Sequence, residues 1–377
     1  MFTMECLNAK EGDCIIFHFG SPALRRLAIV DSGSSGTYKQ VLKKRLEELK
    51  VEISPSAPLY FELGMVSHID NDHLKGFLDF FKREKAGKNF ETDLLEFGKF
   101  WHNSFHHLTR HVSVATAGSI TASSSVDLKQ HLETLDDRDG RMDLILSSFA
   151  QGDRLEQHLH RWKIASNAPH HGTVSTAWND VHLDGGVAIT ITGPHAKRLK
   201  ELGDKWPEPD KKIETAAYLD KSVSNLSSIT AVVRCEGASV FLTGDARGDD
   251  LVEGLEEKNL LNNGKAHFTV LKMPHHGSDR NMTQEFLENI TADIYVFSAN
   301  GKHDNPDAGT LKMLAAARPG ATFTLAFTNP ISAIKTKFHS GVAAPFDAAL
   351  KKIKQDCTVT LVERDEAELS VNLELGN

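Results

Sequence analysis

Residues 67–76 read SHIDNDHLKG, and six of these positions, His68 to His73, hold two imidazoles and two carboxylates: His68, Asp70, Asp72 and His73. The stretch follows FELGMVSH (61–68), an apolar run of strand type. It leads into HLKGFLDFFKREK (73–85), whose apolar residues recur at helical spacing. A strand, a loop rich in ligand atoms and a helix in succession gather side chains at a sheet edge. A solvated loop and half of a metal site share this composition, so the rest of the chain must decide between them.

Working outward, the same pattern recurs. RLAIVD ends on Asp31, SVFLTGD on Asp245, and FTVLKMPHH on His275 and His276. Four apolar runs thus end in acids or histidines, which a chance solvated loop does not explain. Asp72 and His73, adjacent on a tight loop, suit one ion, while His68 and Asp70, two apart, suit another. Asp245, with two carboxylate oxygens, suits a bridge between two ions about 4 Å apart. One of His275 and His276 would close the second site, leaving its neighbour to contact substrate or move a proton. The sequence leaves open which does which.

The motif series His-x-Asp-x-Asp-His with Leu-Lys-Gly, then Leu-Thr-Gly-Asp, then Lys-x-Pro-His-His-Gly-Ser resembles the metallo-β-lactamase superfamily. Within it the series resembles the ComEC-like branch, named for the soluble hydrolase domain of a competence DNA-uptake channel. The resemblance implies an α/β fold, a four-layer αββα sandwich with a dinuclear metal site on one edge. The motifs run from residue 11 to about 310. They imply a hydrolase domain over 1–330, with an insertion or elaboration at about 86–222, and a C-terminal helix and hairpin over 331–377 packed on the same domain. The branch also places a histidine where His303 stands, facing the site as a phosphate contact or a support for the ligands. Two positions depart from the wider superfamily: Asp70 replaces a histidine, and Asn225 stands where another is expected before the bridging acid. Oxygen donors in place of imidazoles favour manganese or magnesium over zinc.

Other residues carry lesser expectations. Asp31 reads as an orienting or structural residue, and His102, His106 and His107 as packing or surface groups. His170 or His171, in NAPHHG, could replace the missing ligand. Lys75, Lys82, Arg83, Lys85, Lys272, Arg280 and Lys302 flank the motifs as local positive charge. Such charge matters because the formal net charge of -8 excludes a broad basic nucleic-acid surface. Cys6, Cys14, Cys235 and Cys357 form no CxxC pair, which excludes a thiolate zinc site and fits a reducing cytoplasm. Neither a signal peptide nor a membrane-length apolar run is present, so no membrane partner is expected.

The expected function is a metal-dependent hydrolase using two divalent ions (manganese or zinc, with magnesium as a further candidate). The leading substrate is a phosphodiester, nucleic acid included, which makes the protein a phosphodiesterase or nuclease. The alternatives are hydrolysis of a small phosphoester, β-lactam or thioester, and a metal-binding sensor or scaffold subunit.

Overall fold

The computed structural model describes residues 1–83, 94–104, 141–197, 199 and 228–376. The first sheet opens with an antiparallel meander of β1 (Phe2–Leu7), β2 (Ile15–Ser21) and β3 (Leu24–Val30). β4 (Leu59–Met65) lies parallel to β3, and both β5 (Leu95–Phe97) and β6 (Lys99–Trp101) pair with β4. β7 (Ala165–Ser166) extends the sheet beyond β6. In the second sheet β8 (Val181–Leu183), β9 (Val187–Gly193), β10 (Thr230–Cys235) and β11 (Ala238–Leu242) are antiparallel. β12 (Ala266–Lys272), β13 (Ile290–Phe297), β14 (Thr322–Phe327) and β15 (Thr358–Glu363) then continue parallel to β11.

A parallel run needs a crossover between strands. Here α4 (Gly248–Glu257), α5 (Gln284–Asn289), α6 (Ala308–Ala317), a short α7 (Ile331–Lys335) and α8 (Ala343–Asp356) supply them. The first sheet is covered by α1 (Lys43–Ile53), α2 (Asn71–Arg83) and α3 (Arg141–Arg161). Leu46, Leu49, Phe77 and Phe81 pack these helices on that sheet. Phe17, Val30, Met65, Val233 and Val240 fill the space between the sheets. Leu251, Leu255, Leu311 and Ile353 seal the second sheet under its helices. The layers are therefore α, β, β, α, the sandwich the motifs imply.

The strand expected to run into His68 and the helix expected from His73 are present as β4 and α2, whereas the C-terminal end is corrected. The expected C-terminal hairpin does not form, because its two strands part company. β15 joins the second sheet beside β14, whereas β16 (Ser370–Gly376) joins the first sheet antiparallel to β1. Each sheet offers an open edge there, and one strand covers each. Arg364 pins the passage between them: its Nε donates to the Thr328 carbonyl (3.0 Å) and one Nη to that of Asp365 (2.7 Å). His106, His107, Lys85 and Asn225 lie outside the described residues.

Connectivity brings the chemistry-bearing ends together. β3, β4 and β6 finish, and β2 begins, along one edge of the first sheet. The ends of β11, β12 and β13 face that edge from the second sheet. The Ile229 amide donates to the Ser67 carbonyl across the gap (2.6 Å).

Candidate metal centre

After β3 the chain turns at Asp31 into the left-handed region (φ 59°), unusual for a residue other than glycine. The turn sends its carboxylate to the end of β4. Oδ1 accepts from the Ser67 amide and Oδ2 from the Ser67 hydroxyl, both at 2.7 Å. Oδ2 also accepts from His73 Nδ1 at 2.9 Å. A carboxylate on Nδ1 fixes the tautomer and leaves Nε2 as the free donor of an electron pair. The main chain of His73 is anchored too, its carbonyl accepting from the Ser32 amide at 2.7 Å. This docking explains the glycine of Leu-Lys-Gly. A Cβ on Gly76 would lie 2.1 Å from the Ser32 carbonyl oxygen.

Asp245 is the hub. Its Oδ1 lies 3.4 Å from His73 Nε2, and its Oδ2 lies 3.6 Å from His275 Nε2 and 3.7 Å from both His68 Nε2 and His276 Nε2. Asp72 Oδ2 approaches His276 Nε2 at 3.3 Å, and Asp70 Oδ2 approaches His68 Nε2 at 3.6 Å. Nε2 of His68, His73 and His276 and Oδ1 of Asp245 are buried without a hydrogen-bond partner. Leaving one such atom unpaired costs roughly 1–3 kcal/mol, and here four point inward together. Donors of one ion bound at about 2.1 Å stand roughly 3–3.5 Å apart, close to these separations. The mixed imidazole and carboxylate set therefore fits divalent cations. Asp245 presents one oxygen to His73 and the other to His68, His275 and His276.

The electrostatics agree. Burial opposes charge on Asp245, yet His276, His73 and His68 hold its carboxyl well below the usual carboxylate range. Burial likewise opposes charge on His276, yet Asp245 and Asp13 push its imidazole up to about 9. His73 is raised well above its ordinary value against the same opposition, by Asp245, Asp31 and Asp72. The carboxylates concentrate a negative potential that calls for cations at the Nε2 atoms.

The two histidines left open by the sequence differ in exposure. His276 is buried, and its Nδ1 donates to the Ser298 carbonyl (2.9 Å). His275 is 44% exposed at the mouth. Its Nδ1 meets Asn281 Oδ1 at 2.9 Å, and Asn281 Nδ2 in turn donates to the Asp245 carbonyl (3.0 Å). Both are left-handed, with φ 47° at His275 and 57° at His276, strain of order 1–3 kcal/mol each that their surroundings hold in place.

Asp31 orients His73, in keeping with the orienting role read for it. Lys272 is corrected: it is neither surface charge nor a substrate contact, but is buried with Nζ 2.5 Å from Asp13 Oδ2. Lys75 and Lys302 are held in ion pairs with Asp79 and Glu11, and Arg280 is exposed. His303 stands exposed on the turn Lys302–Asp304 and is not among the residues that converge on Asp245. The His170 ring packs against Trp178, tilted, with centroids 4.9 Å apart, and His171 meets the Ser166 carbonyl, so neither joins the cluster. His102 is buried at the end of β6, near Ser166.

One buried residue beside the centre escaped the sequence reading. Asp13 is buried among His73, His276 and Lys272. Its signal was Glu-Gly-Asp at the head of an apolar strand, the mirror of the strand-end pattern, since β2 starts where β3 and β4 finish. A Cβ on Gly12 would lie 1.7 Å from the Asp72 carbonyl oxygen, so that glycine lets the Asp13 loop sit against the ligand loop.

No family model and no curated protein matches the chain. Among solved structures, the metallo-beta-lactamase fold protein YhfI from Bacillus subtilis is similar at 10% identity and a TM-score of 0.39, over 99% of each chain. Zn²⁺-bound PqqB from Methylobacterium extorquens is similar at 11% identity and a TM-score of 0.32, over 96% of this chain and 87% of that one. The reading of the site rests on its own geometry.

Proposed function

We propose that the protein is a metal-dependent hydrolase of metallo-β-lactamase type that acts on phosphodiesters. The observation that carries this reading is the convergence of three buried, unpartnered Nε2 atoms on the Asp245 carboxylate, His73 toward Oδ1 and His68 and His276 toward Oδ2. His68, His73, His276, Asp70, Asp72 and Asp245 would hold two divalent ions, with Asp245 between them. Bound there, such ions polarise a substrate oxygen and lower the pKa of water toward neutrality. His275, tethered by Asn281 and open to solvent, would move a proton at the mouth.

Three carboxylates in the donor set support manganese over zinc, and hard oxygen ligands suit phosphoryl chemistry. Among the described residues that flank the motifs, the pairing of positive charge supports a substrate that offers only a few phosphates. Lys75, Lys302 and Lys272 are engaged in ion pairs, whereas Arg280 and Lys82 are exposed. Binding should accordingly weaken only shallowly with salt.

The test is metal content of the purified protein, followed by hydrolysis of bis-p-nitrophenyl phosphate, nitrocefin and a thioester under identical loading with manganese, magnesium or zinc. The expected result is preferential phosphodiester cleavage with manganese. Preference for nitrocefin or the thioester would remove the phosphodiesterase reading and keep the hydrolase. Absence of bound metal and of all three activities would remove both.

A further inference from the structure

Asp13 and Lys272 stand behind the metal centre rather than in it. Asp13 precedes β2 of the first sheet, and Lys272 ends β12 of the second. Their side chains are 3% and 1% exposed, with Nζ and Oδ2 2.5 Å apart. A buried ion pair is weak ground for stability, because desolvation offsets much of the attraction. Its position is more telling. Asp13 Oδ1 lies 3.5 Å from His276 Nδ1, and Oδ2 lies 3.8 Å from His73 Nδ1. Those are the ring atoms opposite the Nε2 atoms that converge on Asp245.

Each Nδ1 already has a closer acceptor, the Ser298 carbonyl for His276 and Asp31 for His73, both at 2.9 Å. Asp13 is therefore the hydrogen-bond partner of neither ring. It is a carboxylate shared behind both, touching one ligand from each sheet. The pair itself also joins the two sheets, so it fixes how far apart the ligands of each sheet stand.

We propose that Asp13 and Lys272 are a positioning pair for the metal centre. The Asp13 carboxylate, pinned by Lys272, keeps the His73 and His276 rings with Nε2 forward and strengthens them as donors. The Lys272 ammonium cancels the charge that this extra carboxylate would add. The inference rests on the metal-centre reading above.

The double variant Asp13→Asn/Lys272→Met separates the possible roles, since it removes the pair without changing net charge. The probes are Mn²⁺ and Zn²⁺ titrated calorimetrically into metal-free full-length protein, the visible spectrum of the Co²⁺-loaded form, and the melting temperature without metal. Loss of a partner behind a metal ligand typically weakens metal binding about 10–100-fold. The expected result is a loss of that size, the same number of ions as wild type, and an altered Co²⁺ spectrum. A double variant with wild-type affinity and Co²⁺ spectrum overturns the proposal, whatever its melting temperature, because the pair would then serve packing alone.

Two single variants add independent checks. Lys272→Met makes the site more negative, so a pure charge effect tightens binding, whereas lost positioning weakens it. Tighter binding overturns the proposal. Asp13→Asn is nearly isosteric, and it should weaken binding without changing stoichiometry. Loss of one bound ion would make Asp13 a ligand and overturn the positioning role. A wild-type protein that binds none of these ions sinks the metal-centre reading and this inference with it, an outcome distinct from all the others.

Discussion

At the residue scale, the centre is a set of donors held by neighbours that fix their direction. Asp245 is the carboxylate that His68, His73, His275 and His276 all approach, so Asp245→Asn should remove most metal binding and reduce hydrolysis below about one-hundredth of wild type. That is a larger loss than the 10–100-fold typical of a group behind the ligands. The side chain lies at the strand ends rather than in the three apolar clusters, so the far-ultraviolet spectrum should be unchanged. Asp31→Asn is expected to fall in that milder 10–100-fold range. The amide retains an acceptor for the Ser67 amide but loses the charge behind His73 Nδ1. Metal titration of both variants checks the ranking. Equal losses would mean that Asp31 acts as more than an orienting group.

At the element scale, the site depends on loops that approach more closely than side chains allow. A Cβ at position 12 would meet the Asp72 carbonyl oxygen at 1.7 Å, inside any tolerated contact. Gly12→Ala should therefore push the ligand loop and the start of α2 away from the Asp13 loop. We expect a loss of about 1–3 kcal/mol of stability from the forced shift, accompanied by weaker metal binding. Denaturant unfolding and metal titration on the same protein test both parts; a variant that loses stability but binds metal normally would uncouple the two loops. This scale also divides what the sequence disclosed from what it hid. The strand-end clusters at 68–73, 245 and 275–276 were readable because strand, ligands and helix are contiguous, so local periodicity locates them. Asp13 was hidden because it starts a strand rather than ending one, and its partners His73, His276 and Lys272 come from distant segments. Lys272 read as surface charge because nothing local says that a lysine will be buried. The C-terminal strands read as a hairpin because adjacency in sequence is the default for short neighbouring strands, whereas the open edge of each sheet separated them.

At the scale of the whole molecule, the C-terminal strand is tied to the start of the chain by a buried charge network away from the centre. Glu5, on β1, is inaccessible to solvent. Its Oε2 meets His18 Nε2 on β2 at 2.8 Å, and its Oε1 accepts from Arg45 Nε on α1 at 2.7 Å and from Ser370 Oγ on β16 at 2.6 Å. Burial alone would raise this carboxyl, but His18, Arg45 and Ser370 outweigh it and bring its pKa down from 4.5 to about 2. A carboxyl depressed in the folded state stabilises the fold fully above its unfolded value. That contribution should therefore be complete above about 4.5 and disappear as the pH falls through about 2. At 1.36 kcal/mol per unit the effect is of order 3 kcal/mol. Glu5→Gln removes the titrating group while nearly preserving its shape, although it leaves Arg45 without a carboxylate partner at this position. Urea unfolding of both proteins across pH should find wild type more stable at neutral pH. The gap should narrow steadily between about pH 4.5 and pH 2. Because the carboxylates of the metal centre are the same in both proteins, the difference reports on Glu5 and the groups it contacts, His18, Arg45 and Ser370. A gap that stays constant down to about pH 3 would mean that Glu5 acts through shape rather than charge, and that the tie between β1, α1 and β16 is one of packing.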